Sequence, residues 1–249
     1  MTNHTAPMTP DNVQRLENVL KDTPTDGLTR RLLLGRAALA AAAASVALPG
    51  EALAQANGNS VTQIINTAIT AEALAVTYLT GLIKHASATS VSKFADVLKA
   101  ANAAEYDHYK ALQSLGAKPL TTKFWAPDAF FKPGQPFKVL ELAEMLFIDA
   151  YLIGATNFAA AGKPDLARYA AEIGGVEAQH LALVRFARNK LPDDRAFQAY
   201  PITSIGGVVA ALEKAGVGFG KPGANPGKFY TFTPPPTSAL LPITNNIPA

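Results

Sequence analysis

Four stretches of the chain carry apolar residues at alternating steps of three and four, the period that lines one face of an α-helix. The first runs from about Ser60 to Lys84, with Ile65, Ile69, Val76, Leu79 and Ile83 in its stripe. The second, after Ser90 to about Leu115, carries Phe94, Leu98, Ala101 and Leu112, and Gly116 is its stop. The third, about Pro136 to Ala161, carries Phe137, Ile148, Tyr151, Ala155 and Phe158; the fourth, Pro164 to about Lys190, carries Leu166, Ala170, Ile173, Val184 and Ala187. Short turns at Ser87 to Ser90 and at Gly162 to Pro164 make antiparallel neighbours of helices 1 and 2 and of helices 3 and 4. Between the pairs, Ala117 to Gln135 holds Pro119, Pro127, Pro133 and Gly134, which keep it from being a helix, and Phe124, Trp125, Phe130 and Phe131, which keep it on the core. The pattern predicts an all-α fold: an antiparallel four-helix bundle with one long crossover between helices 2 and 3. After Leu191-Pro192 it fades to one short helix, Ser204 to Gly216, and an irregular, Gly- and Pro-rich C-terminal tail that either wraps the bundle or meets a partner.

Each stripe is interrupted by charge. Glu72 is the only charged residue between Val61 and Ile83, and a carboxylate buried there without a partner would cost several kcal/mol. It must be protonated, paired or metal-bound. Five Thr, one Gln and one Asn in the same span argue against a membrane helix. The second stripe contains Glu105 and His108, the third Glu144, the fourth Glu177 and His180. These interruptions repeat: Glu72 precedes Glu105 by 33 positions, Glu144 precedes Glu177 by 33, and each residue of the first set recurs 72 positions later. That is the mark of a duplicated helical hairpin.

Residues three apart share a helix face, so Glu105 with His108, and Glu177 with His180, each offer a carboxylate and an imidazole to one point. With Glu72 and Glu144 added, six side chains make a dinuclear metal site of the kind built in bundle cores, and the ligand set suits two iron or manganese ions. Glu105 and Glu177 are expected to bridge, and Glu72 and Glu144 to be terminal or chelating. Taken singly, Glu72 reads equally as a hydrogen-bonded buried acid and His108 as a core histidine; the competing account of all six is a bundle whose buried acids and histidines bond to one another. Glu141 and Asp149 are neighbouring acids on helix 3, but only Glu144 keeps the spacing. Tyr78 and Tyr151 are candidate catalytic residues that could hydrogen-bond a bound peroxide or a ligand carboxylate, against the plainer reading of core packing with the hydroxyl at the rim. His4 and His85 get no role.

The whole chain has 249 residues, 22 Lys and Arg, 19 Asp and Glu, and a net charge of +3, with no basic run and no interleaved aromatics, so no nucleic-acid partner is expected. It has no cysteine, which removes disulfides, zinc-thiolate sites, iron–sulfur clusters and thiol nucleophiles together. The start is set aside from the fold. Arg30-Arg31, the apolar run Ala37 to Leu48 and Ala52-Leu53-Ala54 resemble a twin-arginine export signal with a small-x-small cleavage site, the alternative being a membrane anchor. The organisation is therefore a leader at 1–54, a four-helix bundle at 55–190 and a short helix with an extended tail at 191–249. The mature chain is expected to be exported to the periplasm without a stable membrane span.

With Glu72, Glu105-x-x-His108, Glu144 and Glu177-x-x-His180 in place, the chain from about Ser60 to Lys190 resembles ferritin-like domain proteins, especially the exported bacterial branch related to desiccation-associated proteins. The resemblance implies a ferritin-like bundle with a di-iron or di-manganese centre. It also implies oxygen or hydrogen peroxide as partners, since relatives oxidise ferrous iron, decompose peroxide or activate oxygen. The expected function is thus a ferroxidase or a catalase/peroxidase-type oxidoreductase, with a homodimer as the expected assembly. The alternative is a non-catalytic stress or desiccation-associated envelope protein whose metal site is structural or vestigial.

Overall fold

The computed structural model describes residues 59–244; the leader, with its paired arginines and its small-x-small site, lies outside the described residues. Four long helices form the bundle: α1 Val61–Lys84, α2 Ala95–Ser114, α3 Pro136–Ala160 and α4 Pro164–Ala187. A fifth, α5 Ile205–Ala215, packs against α3 and α1. Local chemistry sets the ends. Ser60 and Gln63 form a reciprocal capping box at the start of α1, satisfying two amides the helix itself leaves free. Pro136 and Pro164 occupy the first turns of α3 and α4, where a missing N–H is harmless. Gly116 follows α2 at a φ of +85°, as its reading as a stop requires.

α4 ends three residues before the expected Lys190. Asn189 takes a left-handed conformation, φ 57°, and Arg185, Arg188 and Lys190 close around the Glu141 carboxylate of α3.

α1 packs on α2 and α3 on α4 as two hairpins, and α1 and α3 join them. The shared core holds Ile64, Ile69, Phe147, Ile153 and Ile173, with a second cluster of Leu79, Leu82, Leu98 and Val184 further along the bundle. α2 and α4 are not in comparable contact, and a cleft of about 650 Å³ lies between them.

The crossover and the tail depart from the expectation of irregular chain. Lys123–Pro127 is a strand, β1, lying between two tail strands, β2 Gly218–Phe219 and β3 Gly227–Thr231, both antiparallel to it. Phe124 sits opposite Phe219 on one side and Tyr230 on the other, and is fully buried. Trp125 packs edge-on to Phe229 at 5.2 Å and donates its indole N–H to the Asn225 carbonyl. Prolines do keep the crossover out of an α-helix, leaving only a 3-10 turn at Asp128–Phe131, but they left room for five paired residues whose partners lie far along the chain. The tail therefore wraps the bundle. Tyr109 of α2 packs on Phe232 at 4.6 Å, and Asn102 of α2 donates to the Ala239 carbonyl at 3.0 Å.

Candidate metal centre

The charged interruptions of the four stripes meet in the bundle interior. Glu72, Glu105 and Glu177 are 0 % exposed, Glu144 4 %, His108 9 % and His180 8 %. His108 Nδ1 lies 3.2 Å from Glu105 Oε2, 3.3 Å from Glu177 Oε1 and 3.8 Å from Glu72 Oε2. His180 Nδ1 lies 3.2 Å from Glu177 Oε2, 3.0 Å from Glu105 Oε1 and 4.0 Å from Glu144 Oε2. The two halves match: each histidine faces the carboxylate of its own helix, that of the opposite Glu-x-x-His helix, and the single Glu of its own hairpin. Two overlapping sets follow, Glu72, Glu105, His108 and Glu177, and Glu105, Glu144, Glu177 and His180, each with donor atoms within 4.8 Å of one another. Glu105 and Glu177 belong to both.

Burial and mutual charge set the protonation. Burial, then the Glu105 charge, pushes the Glu72 carboxyl up, with His108 opposing; burial and Glu177 do the same to Glu144, with His180 opposing. Glu105 goes the other way: burial would raise it, but His180 and His108 hold it well below the ordinary range. Burial works against charge on the imidazoles too, yet Glu105, Glu177 and Glu72 around His108, and Glu105, Glu177 and Glu144 around His180, push both up.

Imidazolium–carboxylate pairing leaves the cluster incompletely satisfied. Glu72 Oε2, Glu105 Oε1, Glu144 Oε2 and Glu177 Oε1 have no hydrogen-bond partner among the described residues; the 3.0 Å approach of His180 to Glu105 Oε1 and the 3.3 Å approach of His108 to Glu177 Oε1 are ion-pair contacts without hydrogen-bond alignment. Buried polar atoms are nearly always paired, so one open oxygen on each of four carboxylates requires an explanation. Two divalent cations fit. Four carboxylates balance their charge, two imidazole nitrogens complete a set of oxygen and nitrogen donors, and the absence of thiolate disfavours softer sites.

Residues 60–190 match the family model described as the ferritin-like domain. The chain belongs to the ferritin-like domain family. No curated protein and no solved structure shows a significant match.

Within this ferritin-like bundle the other sequence candidates separate. Tyr151 of α3 donates its hydroxyl to Glu72 Oε1 of α1, so it reaches the single Glu of the other hairpin, and its phenol is pushed up by burial and then by the Glu72 charge. Tyr78 is not brought to the site. Its hydroxyl donates to the Phe130 carbonyl at 2.9 Å and its ring packs on Phe130 and Phe131, because the crossover fills the space that side chain faces. Glu141 stays with its three cations; burial would raise it, but Lys190 and Arg188 hold it down. Asp149 is raised to about 6 by burial, with the Ile202 amide opposing.

Gly174 of α4, outside the repeated ligand pattern, also shapes the site. A Cβ there would come within 3.2 Å of Tyr151 Cβ, so the missing side chain on α4 lets Tyr151 lie where it reaches Glu72. The signal was present: Gly174-Gly175 inside a helix is unfavourable by roughly 1 kcal/mol per residue and calls for a packing reason.

Among the described residues, two sizeable cavities reach the cluster. The cleft between α2 and α4 has His108 and His180 among its lining residues, walls that include Ala100 and Ala104, and Pro242, Ile243 and Thr244 of the tail along it. On the opposite hairpin faces, an apolar cavity of about 360 Å³ between α1 and α3 includes Glu144 in its wall. No helix among the described residues is long and apolar enough to cross a membrane.

Proposed function

We propose that this ferritin-like protein holds two iron or manganese ions and uses them to oxidise ferrous iron or decompose hydrogen peroxide. The observation that carries the reading is the set of four open, buried carboxylate oxygens clustered with two imidazoles. Glu72 with His108 would hold one ion, Glu144 with His180 the other, and Glu105 and Glu177 both. Bound there, the metal pair supplies one-electron chemistry towards oxygen, peroxide or ferrous iron as substrate. The chain's own residues do the positioning. The Tyr151 hydroxyl orients the Glu72 carboxylate, the packed stripes exclude water, and the α2–α4 cleft gives small polar species a path to the histidine side. The leader's resemblance to a twin-arginine signal supports export to the periplasm after folding, with metal loaded beforehand.

A second reading is supported by the tail. Pro242 to Thr244 lie along the cleft above the histidines, as they would in a non-catalytic stress or desiccation-associated protein whose metal site is structural or vestigial.

Elemental analysis of protein isolated through its native export route tests the metal reading. About two ions per chain are expected under the rule for such bundle sites, and the double variant Glu105→Ala/Glu177→Ala is expected to lose them. Retained stoichiometry in that variant would sink it. Peroxide-consumption and ferrous-oxidation assays on the loaded protein separate the two readings, since a structural centre keeps its metals and turns over neither substrate.

A further inference from the structure

The cavity between α1 and α3 differs in kind from the cleft on the histidine side. Its walls are carbon from Ala75 and Leu79 of α1, Ala143 and Phe147 of α3, Phe131 of the crossover and Leu212 of α5. Of three hydroxyl-bearing residues in the wall, two are already engaged, Thr77 donating to the Ala73 carbonyl at 2.6 Å and Tyr78 to the Phe130 carbonyl at 2.9 Å, and the third is Tyr230. Two charged residues also line it, both on α3. Glu144 is buried, with Oε2 unpartnered; Lys138 is exposed and has no ion-pair partner among the described residues. They are six residues apart, about 9 Å along a helix at its usual rise. The lining is thus apolar but for a few hydroxyls, one exposed ammonium and one buried carboxylate that belongs to the six clustered side chains.

We propose that this cavity binds a medium-chain aliphatic carboxylate, its hydrocarbon along the apolar wall, its carboxylate at Lys138 and its methyl end towards Glu144. One ammonium matches one monoanion. A volume of about 360 Å³ equals roughly twelve units of ~30 Å³, the share of one water in the liquid, and so a chain of around ten carbons with its head group. A largely apolar pocket of this size with few polar groups is the common form of a small-molecule site. The tail helps to form it: Tyr230 of β3 lines the cavity and packs on Phe131 at 5.3 Å, while Tyr78 packs on Phe131 from α1. Binding itself does not depend on the metal; only the placement of the methyl end beside a metal ligand rests on the reading above.

Calorimetric titration of the mature chain with decanoate and with decan-1-ol, in chelator and after metal loading, tests this. Saturable one-to-one binding of decanoate is expected in both states, tighter than that of decanol. Lys138→Glu, an exposed change, is expected to weaken decanoate about tenfold, as reversal of one partly solvated ion pair should, and to leave decanol within about twofold. Ala75→Phe, which fills the cavity, is expected to weaken both ligands more than tenfold. Absence of saturable binding, decanol binding as tightly as decanoate, or decanoate binding unchanged in Lys138→Glu would each overturn the proposal. A chain that binds decanoate and takes up no metal would sink the metal reading alone; a chain that loads two metals and binds no decanoate would sink this one alone.

Discussion

Glu72→Gln separates a metal ligand from a merely buried acid, because the two accounts give opposite signs. Glu72 is fully buried, its Oε1 accepts from Tyr151, and its Oε2 has no partner among the described residues. Without metal that open oxygen carries a desolvation penalty of about 1–3 kcal/mol for an unsatisfied buried group. Burial and the Glu105 charge already push this carboxyl up towards its protonated form; glutamine keeps that neutral shape, can still accept from Tyr151, and can donate an amide N–H to the carboxylates of Glu105 and Glu177, whose ligand atoms lie within 4.8 Å of that of Glu72. In chelator the variant is therefore expected to be more stable than wild type by about 1–3 kcal/mol. Metal works in the opposite direction. An ion at a hundred times its dissociation constant stabilises the native state by about 2.7 kcal/mol. If loss of the ligand weakens that ion about a hundredfold, the variant gains only about 0.4 kcal/mol at the same concentration. Urea unfolding followed by circular dichroism, in chelator and in excess Mn²⁺, reads both arms. A variant that is less stable than wild type in chelator and gains as much from Mn²⁺ would refute the reasoning and make Glu72 a structural hydrogen-bonded acid.

Three further outcomes test the surrounding structure. Glu141→Ala takes one carboxylate from Arg185, itself only 7 % exposed, which keeps Asp194 at 2.7 Å and the Leu191 carbonyl at 3.0 Å, and is expected to destabilise by about 1–3 kcal/mol in urea unfolding with metal content unchanged. The Asp149 carboxyl, raised to about 6, contributes most favourably below its unfolded value near 4, and that contribution is lost as pH rises through 6; the urea midpoint of wild type relative to Asp149→Asn should fall between pH 4 and 7, and a flat difference would contradict it. Gly174→Val drives a side chain into Tyr151, so a destabilisation of about 1–3 kcal/mol is expected together with metal affinity lowered by roughly tenfold or more, measured by competition with a chelator.

The sequence by itself determined the four helices, their order, the crossover and the six ligand-type residues. Each of these is a local or periodic property. A stripe at steps of three and four fixes which helix face is buried, and a 33-residue spacing repeated after 72 positions fixes that the charged interruptions share one depth. Tertiary structure decided what depends on contacts between distant segments. Tyr78 and Tyr151 look alike along their helices, yet one hydroxyl meets the Phe130 carbonyl of the crossover and the other meets Glu72 on another helix. Glu141 and Glu144 lie less than a turn apart on α3, and which one joins the cluster follows from whether α4 presents Arg185 or His180 to it. β1 needed partners from the tail, and no residue near Lys123–Pro127 announces a strand bonded to Gly218–Phe219 and Gly227–Thr231. Side-chain periodicity is written within one helical turn, whereas strand pairing, hydroxyl partners and cavities are set only when separate elements close on one another.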